Sequence, residues 1–296
     1  MFDIIGKRKW ILIITAIYLL VAIVAIGIFR LKPGIEFSSG SILTLNFEQK
    51  VTQADLQTAL DGAGYENTII QQTAGGDYII RTREMSGADK TGLEKTLSDK
   101  FGKLREVEFN SISPMIAAET TQNTAIAVAI ALVAMLIYMT WAFRRMPSPV
   151  LFGTSAVLVL AHDVIFTLGF FAIAGHFLNW DVSLMFITGI LALVGYGINN
   201  VIVVFDRIRE NLTRGVSKDF AAVSNMSMIE TLGRCLNSVI TTQITVLAVL
   251  LFVGASIRDF AVVLLVGLVA GTFSSTFIAP ALLVVWEKNK EMKSAP

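Results

Sequence analysis

Residues 10–29 read WILIITAIYLLVAIVAIGIF, a stretch of apolar and weakly polar residues with no charged side chain. A helix rises 1.5 Å per residue, so about 20 such residues match the thickness of the hydrocarbon core of a bilayer. A cleaved signal peptide has a shorter apolar core, followed by a small-residue cleavage site. The stretch therefore predicts a retained transmembrane helix.

Five further stretches have spanning length, namely residues 124–143, 150–174, 183–205, 235–253 and 260–286. Hydrophobic residues make up 54% of the 296 residues and charged residues 16%, which is typical of a membrane protein. A single cysteine, Cys235, excludes an internal disulfide, and no C-x-x-C spacing indicates a structural metal. A net charge of +1 argues against nucleic-acid binding. The sequence predicts a bundle of six transmembrane helices without a cofactor.

Basic residues cluster beside alternate spans. They are Lys7, Arg8 and Lys9, then Arg144 and Arg145, then Arg207, Arg209, Arg214 and Lys218, and in the tail Lys288, Lys290 and Lys293. Residues 176–181 and 254–259 would lie on the other side of the membrane. Their only Lys or Arg is Arg258. Because short cytoplasmic loops carry the excess of Lys and Arg, both termini are predicted to be cytoplasmic and the long segment after the first span external.

This external segment has the pattern of a small soluble domain. ILTLNF, from Ile42, alternates like a strand; a helix follows from Thr52; residues 67–82 resemble a hairpin; and a second helix, capped by Ser86, precedes the strand-like LREVEF. The order predicts an α+β, split βαβ or ferredoxin-like domain. No His, Cys or carboxylate cluster indicates catalysis. The predicted organisation is 1–30 tail and first span, 31–122 inserted domain, 123–286 bundle and 287–296 cytoplasmic tail.

Polar residues within the spans are the candidate site. Asp163 lies 14 residues beyond Pro149, about 21 Å along a helix, with His162 beside it. Intramembrane carboxylates mark ion or proton paths by default; the alternative is a neutral carboxyl group that joins helices by hydrogen bonds. Asn199 and Asn200 form an amide pair in the fourth span, a pattern more typical of helix packing.

The fifth span begins with a polar stripe of Arg234, Asn237, Ser238, Thr241 and Thr245, whose spacing places them on one helix face. We expect this stripe to meet polar groups of other spans in a hydrated seam, with Arg234 alternatively an interface anchor. In the sixth span Gly267 and Gly271 predict close helix packing.

Residues 195–211, GYGINNVIVVFDRIREN, resemble the SecF family signature, which commonly reads GYSINDTVVVFDRIREN. The matching positions include Gly195, Tyr196, Asp206 and Arg207. GKRKW precedes the first span, PGIEFSSG follows it where the family tends to have GIDFTGG, AHDV lies in the third span, and Arg-x-x-Asn-x-Ser starts the fifth. The resemblance extends over residues 6–286.

The resemblance implies a multi-pass RND-superfamily bundle with a periplasmic domain in a bacterial inner membrane. It implies a SecD partner, and YajC and YidC as further partners. The complex would act beside the SecYEG translocon, on an unfolded polypeptide that is being translocated. Such a subunit uses the proton gradient to promote late steps of protein export, and is not an enzyme. Membrane lipid is expected to surround the transmembrane helices.

One position departs from the family signature. Asn200 stands where the family has an acidic residue implicated in proton transfer, and Val201 replaces a small hydroxyl residue. An amide does not exchange a proton near neutral pH, so that role does not transfer to residue 200. Arg234 matches the family's intramembrane arginine. Asp163 and the SecD half then carry the proton, or this half couples weakly or uses another ion. Two alternative functions stay open: a structural subunit without its own proton relay, and half of an RND-type small-molecule exporter.

Overall fold

The computed structural model describes residues 3–66, 68–73, 75–146, 148–252 and 257–294, with side chains up to residue 287. Among these residues six helices are long and apolar enough to cross a membrane, which confirms the predicted number. The first five are α1 (Arg8–Phe29), α5 (Pro114–Ala142), α6 (Pro149–Leu178), α7 (Leu184–Thr213) and α8 (Phe220–Phe252). The sixth consists of α9 (Arg258–Phe273), one π-helical turn (Ser274–Ile278) and α10 (Ala279–Ser294). A short 3₁₀ turn, Ile5–Lys7, precedes α1.

Several helices extend beyond the predicted apolar stretches. α8 begins at Phe220, well before residue 235, and α7 continues to Thr213. These extensions carry polar residues that pair with each other, as where the Asn211 amide donates to Ser227 Oγ at 2.9 Å. Hydropathy marks the apolar part of a helix and does not report such polar ends. The predicted end of the fifth span at residue 253, and residues 254–256 of the loop after it, lie outside the described residues.

The membrane helices form a compact unit, residues 1–32 and 126–296, whose core is centred on α6, α7 and the sixth span. Phe143, Phe152 and Phe205 pack in one aromatic cluster, with ring centroids 5.2 to 5.8 Å apart. α1 lies closely against α6 because Gly169 has no side chain: a Cβ there would lie 2.5 Å from the Ala22 Cβ. The α1–α6 pair is thus fixed by a backbone contact.

Residues 33–125 form a second compact unit with its own core. After the short helix α2 (Ile35–Ser38), its elements are β1 (Gly40–Phe47), α3 (Gln53–Gly62), β2 (Ile69–Gln72), β3 (Tyr78–Thr82), α4 (Gly87–Phe101) and β4 (Leu104–Ile112). The strands form an antiparallel sheet in the order β2-β3-β1-β4. Leu43, Leu45 and Ile80 are fully buried in it. The predicted order of strands and helices is confirmed; positions 67 and 74 of the predicted hairpin lie outside the described residues.

The helix starts of this domain follow from local capping. Thr52 Oγ1 accepts a hydrogen bond from the Asp55 amide at the start of α3. Ser86 and Asp89 form a capping box at α4, in which each side chain accepts from the other residue's backbone amide. The cap predicted at Ser86 is therefore present.

The turn into β1 has unusual backbone geometry. Ser39 has φ 63° and ψ 167°, a region that is essentially restricted to glycine. Gly40 has φ +124°, and a Cβ there would lie 2.7 Å from the Thr82 carbonyl oxygen. These are the last two positions of PGIEFSSG, where the family pattern has two glycines.

Candidate proton or ion pathway

The centre of the site is Asp163, which α6 places in the interior of the bundle with 1% of its surface exposed. Its Oδ1 lies 2.9 Å from Nδ1 of His162, the preceding residue. Its Oδ2 is buried beside the Ser274 hydroxyl and makes no hydrogen bond of standard geometry among the described residues. The carboxyl group therefore keeps one oxygen that can accept a further hydrogen bond.

Two glycines on neighbouring helices line the space around this carboxyl group. A Cβ on Gly271 of α9 would lie 3.2 Å from Asp163 Oδ2, whereas one on Gly197 of α7 would lie at an ordinary 3.7 Å from it and would instead meet Leu160 Cδ2 at 2.9 Å. Gly267, one turn earlier, meets Leu193 instead, where a Cβ would approach Leu193 Cδ2 to 2.3 Å. The small-residue pair therefore serves both close packing and the space around Asp163.

The π-helical turn of the sixth span borders the same space. Ser274 faces the Asp163 carboxyl group, although its hydroxyl donates to the Gly271 carbonyl oxygen at 3.2 Å. Ser275 and Thr276 in this turn are also fully buried. π-Helical turns often occur at functional sites because they break the regular pattern of backbone bonds. The sequence signal for this turn was a run of three hydroxyl residues in an apolar span, and sequence reasoning missed it.

A third helix reaches the site through Tyr18 of α1. The Tyr18 hydroxyl is hydrogen-bonded to Nε2 of His162, and the two rings meet edge to face with centroids 5.3 Å apart. Tyr18, His162 and Asp163 thus form a continuous hydrogen-bonded chain. Tyr18 lies in the apolar stretch that predicted the first span, and no local pattern distinguished it there.

The two asparagines of the fourth span have different environments. Asn200 is buried, with 2% of its surface exposed, whereas Asn199 is exposed. Asn200 lies almost one helical turn beyond Gly197, and among the described residues no hydrogen bond joins it to Asp163. The structure therefore separates the pair that the sequence treats as one feature.

The polar stripe of α8 does not form an internal seam within this chain. Arg234, Asn237, Thr241 and Thr245 are exposed because no helix in the described part of this chain covers that face. Among the described residues Arg234 makes no ion pair with Asp163, and it borders a crevice with Asp206 and Glu230. Ser238 alone turns inward.

Ser238 belongs to a set of bonds by which the fourth-span signature holds α8. The Tyr196 hydroxyl donates to the Ser238 carbonyl oxygen at 2.8 Å. Arg207 Nε donates to Glu230 at 2.7 Å, and the Asn211 amide donates to the same carboxylate at 2.8 Å. Sequence reasoning missed Glu230, which follows no recognisable spacing. The long signature thus encodes a contact between two helices as well as a site.

Comparison with known proteins agrees with this architecture. The sequence profile described as "Protein export membrane protein SecD/SecF, C-terminal" matches residues 93–289, and the "SecD/SecF GG Motif" matches residues 24–51. The first match alone covers more than half of the chain. This chain belongs to the SecD/SecF family. The resemblance seen in residues 195–211 is confirmed.

Relatives place it on the SecF side of the family. The protein translocase subunit SecF of Thermobaculum terrenum is 33% identical over 98% of this chain and 95% of its own length. SecF of Anaerolinea thermophila is 32% identical over 98% and 96%. SecDF of Bacillus subtilis is 31% identical over 98% of this chain, which corresponds to 39% of that relative.

Solved SecDF structures share the fold. The crystal structure of SecDF from Thermus thermophilus, a translocon-associated membrane protein, superposes with a TM-score of 0.85 and 29% identity. It matches 97% of this SecF-family chain and 39% of the SecDF chain. SecDF in a super-membrane-facing form gives a TM-score of 0.69 at 27% identity. This chain therefore corresponds to about two fifths of a SecDF polypeptide.

Proposed function

We propose that this SecF-family chain is one half of a SecDF-type complex that uses the proton gradient to promote late steps of protein export across a bacterial cytoplasmic membrane. The observation that carries the proposal is the enclosed Asp163 carboxyl group, with one oxygen bonded to His162 and the other buried beside the Ser274 hydroxyl. A translocase subunit whose buried carboxylate is hydrogen-bonded on one side can take up and release a proton as its helices move.

The partner in this proposal is a SecD-family chain, with SecYEG, YajC and YidC as further contacts and an unfolded polypeptide as substrate. Two observations support a partner. The chain accounts for 39% of the Bacillus subtilis SecDF relative, and the stripe of Arg234, Asn237, Thr241 and Thr245 is uncovered. Exposed polar groups within a bilayer cost free energy unless another helix or water satisfies them. The Thr241 and Thr245 hydroxyls donate to carbonyl oxygens of α8 itself, so this argument rests on Arg234 and Asn237.

Purification in mild detergent tests this part of the proposal. The chain should co-purify with a SecD-family protein in comparable amount. Replacing Asn237, Thr241 and Thr245 together by leucine should weaken the association, while leucine at Thr188, an exposed threonine of α7, serves as the control. A monodisperse monomer with full export activity would contradict the proposed partnership.

We also assign the inserted domain a ferredoxin-like plan and a periplasmic location, with both termini cytoplasmic. The antiparallel order β2-β3-β1-β4 supports the plan, and the distribution of Lys and Arg supports the orientation. Single cysteines at Asp77 and at Thr213, in a Cys235→Ser background, test the orientation. An impermeant thiol reagent added to sealed cells should label position 77 alone, and labelling at position 213 would contradict the six-span topology.

The coupling step is tested by substitution at Asp163. Asp163→Asn keeps the shape and hydrogen-bonding capacity of the side chain but cannot carry a proton. It should abolish proton-dependent stimulation of export while leaving association with the SecD-family partner intact. Asn200→Asp restores the family's acid at its usual position and should alter the pH dependence of stimulation.

A structural subunit without its own relay is the second candidate function. It is favoured by Asn200, which removes the acid that the family signature carries at this position. The two functions differ in one result: a structural role predicts that Asp163→Asn retains gradient-dependent export, because the amide satisfies the same neighbours. That outcome would replace the coupling function by the structural one.

A further inference from the structure

The bonded chain from α1 to α6 extends the site beyond Asp163. It runs from the Tyr18 hydroxyl to Nε2 of His162, and from Nδ1 of the same ring to Asp163 Oδ1. We infer that Tyr18 and His162 deliver the proton to Asp163 from the side of α1. The inference rests on the proposed proton-coupling function and adds to it the direction of entry and a residue, Tyr18.

The three groups have two complete hydrogen-bonded arrangements. With Asp163 ionised, His162 carries its proton on Nδ1 and donates to the carboxylate, while Nε2 accepts from the Tyr18 hydroxyl. With Asp163 protonated, the carboxyl O–H donates to Nδ1, and Nε2–H donates to the Tyr18 oxygen. The Tyr18 hydroxyl then turns to another acceptor, and the Thr15 side chain faces it.

The second arrangement contains one more proton than the first. A proton that reaches the Tyr18 oxygen forms an O–H bond there, and the original Tyr18 proton passes to Nε2. The Nδ1 proton of His162 then passes to Asp163 Oδ1. Neutral imidazole and phenol are restored and no electron is transferred, so the net change is protonation of Asp163. A side chain without the hydroxyl, as in Tyr18→Phe, could not begin this series of proton transfers.

Burial gives the path its direction. Exposure rises outward along the chain, from 1% at Asp163 to 6% at His162 and to a partly exposed Tyr18. The other oxygen of Asp163 faces Gly197, Gly271 and Ser274, none of which titrates. Among the described residues, Tyr18 on α1 is therefore the titratable side chain that lies between this pair and the surface of the bundle.

A measurement on the histidine ring tests the inference directly. The sequence contains two histidines, so His176→Gln, at the exposed end of α6, leaves His162 as the single histidine. In the full chain with ¹⁵N-labelled histidine, NMR distinguishes a proton on Nδ1 from one on Nε2. As the pH falls, the proton should move from Nδ1 to Nε2, and Asp163→Asn should abolish this change. A tautomer that stays constant in the Asp163 protein, or a change that persists in Asp163→Asn, would overturn the inference.

A flux measurement tests the role of Tyr18. In vesicles that contain the complex with its SecD-family partner, the measured flux is the rate of proton uptake. Tyr18→Phe should slow this uptake by about tenfold or more, because the relay loses its first donor. The ring contact with Phe166, at 5.8 Å between centroids, is retained in this variant. Tyr138→Phe, at an exposed tyrosine of α5, is the matched control and should keep the original rate.

The two levels of the account fail in different ways. Loss of flux in Asp163→Asn together with an unchanged rate in Tyr18→Phe would overturn the α1 path and leave the proposed function standing. Unchanged flux in Asp163→Asn would overturn the proposed function itself, whatever the tautomer of His162.

Discussion

The backbone of Ser39 stores strain that a single substitution should release. Its φ of 63° and ψ of 167° lie in a region that costs a side-chain-bearing residue about 1–3 kcal/mol. Ser39→Gly removes that cost, but glycine loses about 0.5–1 kcal/mol more conformational free energy on folding. The net stabilisation of the inserted domain should be about 1 kcal/mol, which lowers the population of its open form about fivefold.

Hydrogen exchange in the full-length chain measures this effect without isolating the domain. The amides of β1 and β4, which pair from Gly40–Ile112 to Phe47–Leu104, report opening of the sheet. Their exchange should slow about fivefold in Ser39→Gly. Ser38→Gly is the matched control: Ser38 is helical and its hydroxyl donates to the Gly34 carbonyl oxygen at 2.9 Å, so this variant should exchange faster.

Gly40→Ala tests the same turn in the opposite direction. Alanine there is strained by a φ of +124° and meets the Thr82 carbonyl oxygen at 2.7 Å, so exchange of the β1 amides should accelerate strongly. The reasoning would be refuted if Ser39→Gly left exchange unchanged or faster, since the observed backbone would then carry no releasable strain.

Three further predictions concern the bundle and the caps. Gly271→Ala places a methyl group 3.2 Å from Asp163 Oδ2, and should lower gradient-driven export more than it lowers thermal stability in detergent; an equal loss of both would contradict a role at the carboxylate. Glu230→Gln weakens the charge-assisted bond from Arg207 and should modestly destabilise the helix pair, since both side chains are partly exposed, read as faster exchange in the adjoining turns of α7 and α8; unchanged exchange would count against the contact. Hydrogen bonds from Ser86 lower the pKa of Asp89, so its contribution to stability is complete above the unfolded pKa and is lost as the pH falls through the folded pKa. Protection at the start of α4, measured as exchange relative to the intrinsic rate at each pH, should fall below about pH 4 in the original chain and show no such step in Asp89→Asn.

Features with a strong local signal were predictable from the sequence. The six spans follow from uninterrupted apolar length, and the domain elements follow from alternation and from caps such as Ser86. Asp163 stands out because a carboxylate in an apolar helix has no other local explanation.

Features that depend on the approach of distant elements were not predictable in the same way. Tyr18 meets His162 across 144 positions of sequence, and Glu230 meets Arg207 across two helices. The π-helical turn lies beside Asp163, and the apolar periodicity of the sixth span does not indicate it. The same holds for the polar stripe that begins at Arg234. Its spacing predicted a polar helix face, but not which element, if any, packs against that face.

The central claim is that Asp163 gains and loses a proton, and infrared difference spectroscopy of the membrane-reconstituted complex tests it most directly. The chain contains 23 acidic residues, so the spectrum of Asp163→Asn is subtracted to isolate this one. The account predicts a carboxylic acid C=O band that grows as the pH falls and is absent from Asp163→Asn. A difference spectrum with no such pH-dependent band would contradict the account.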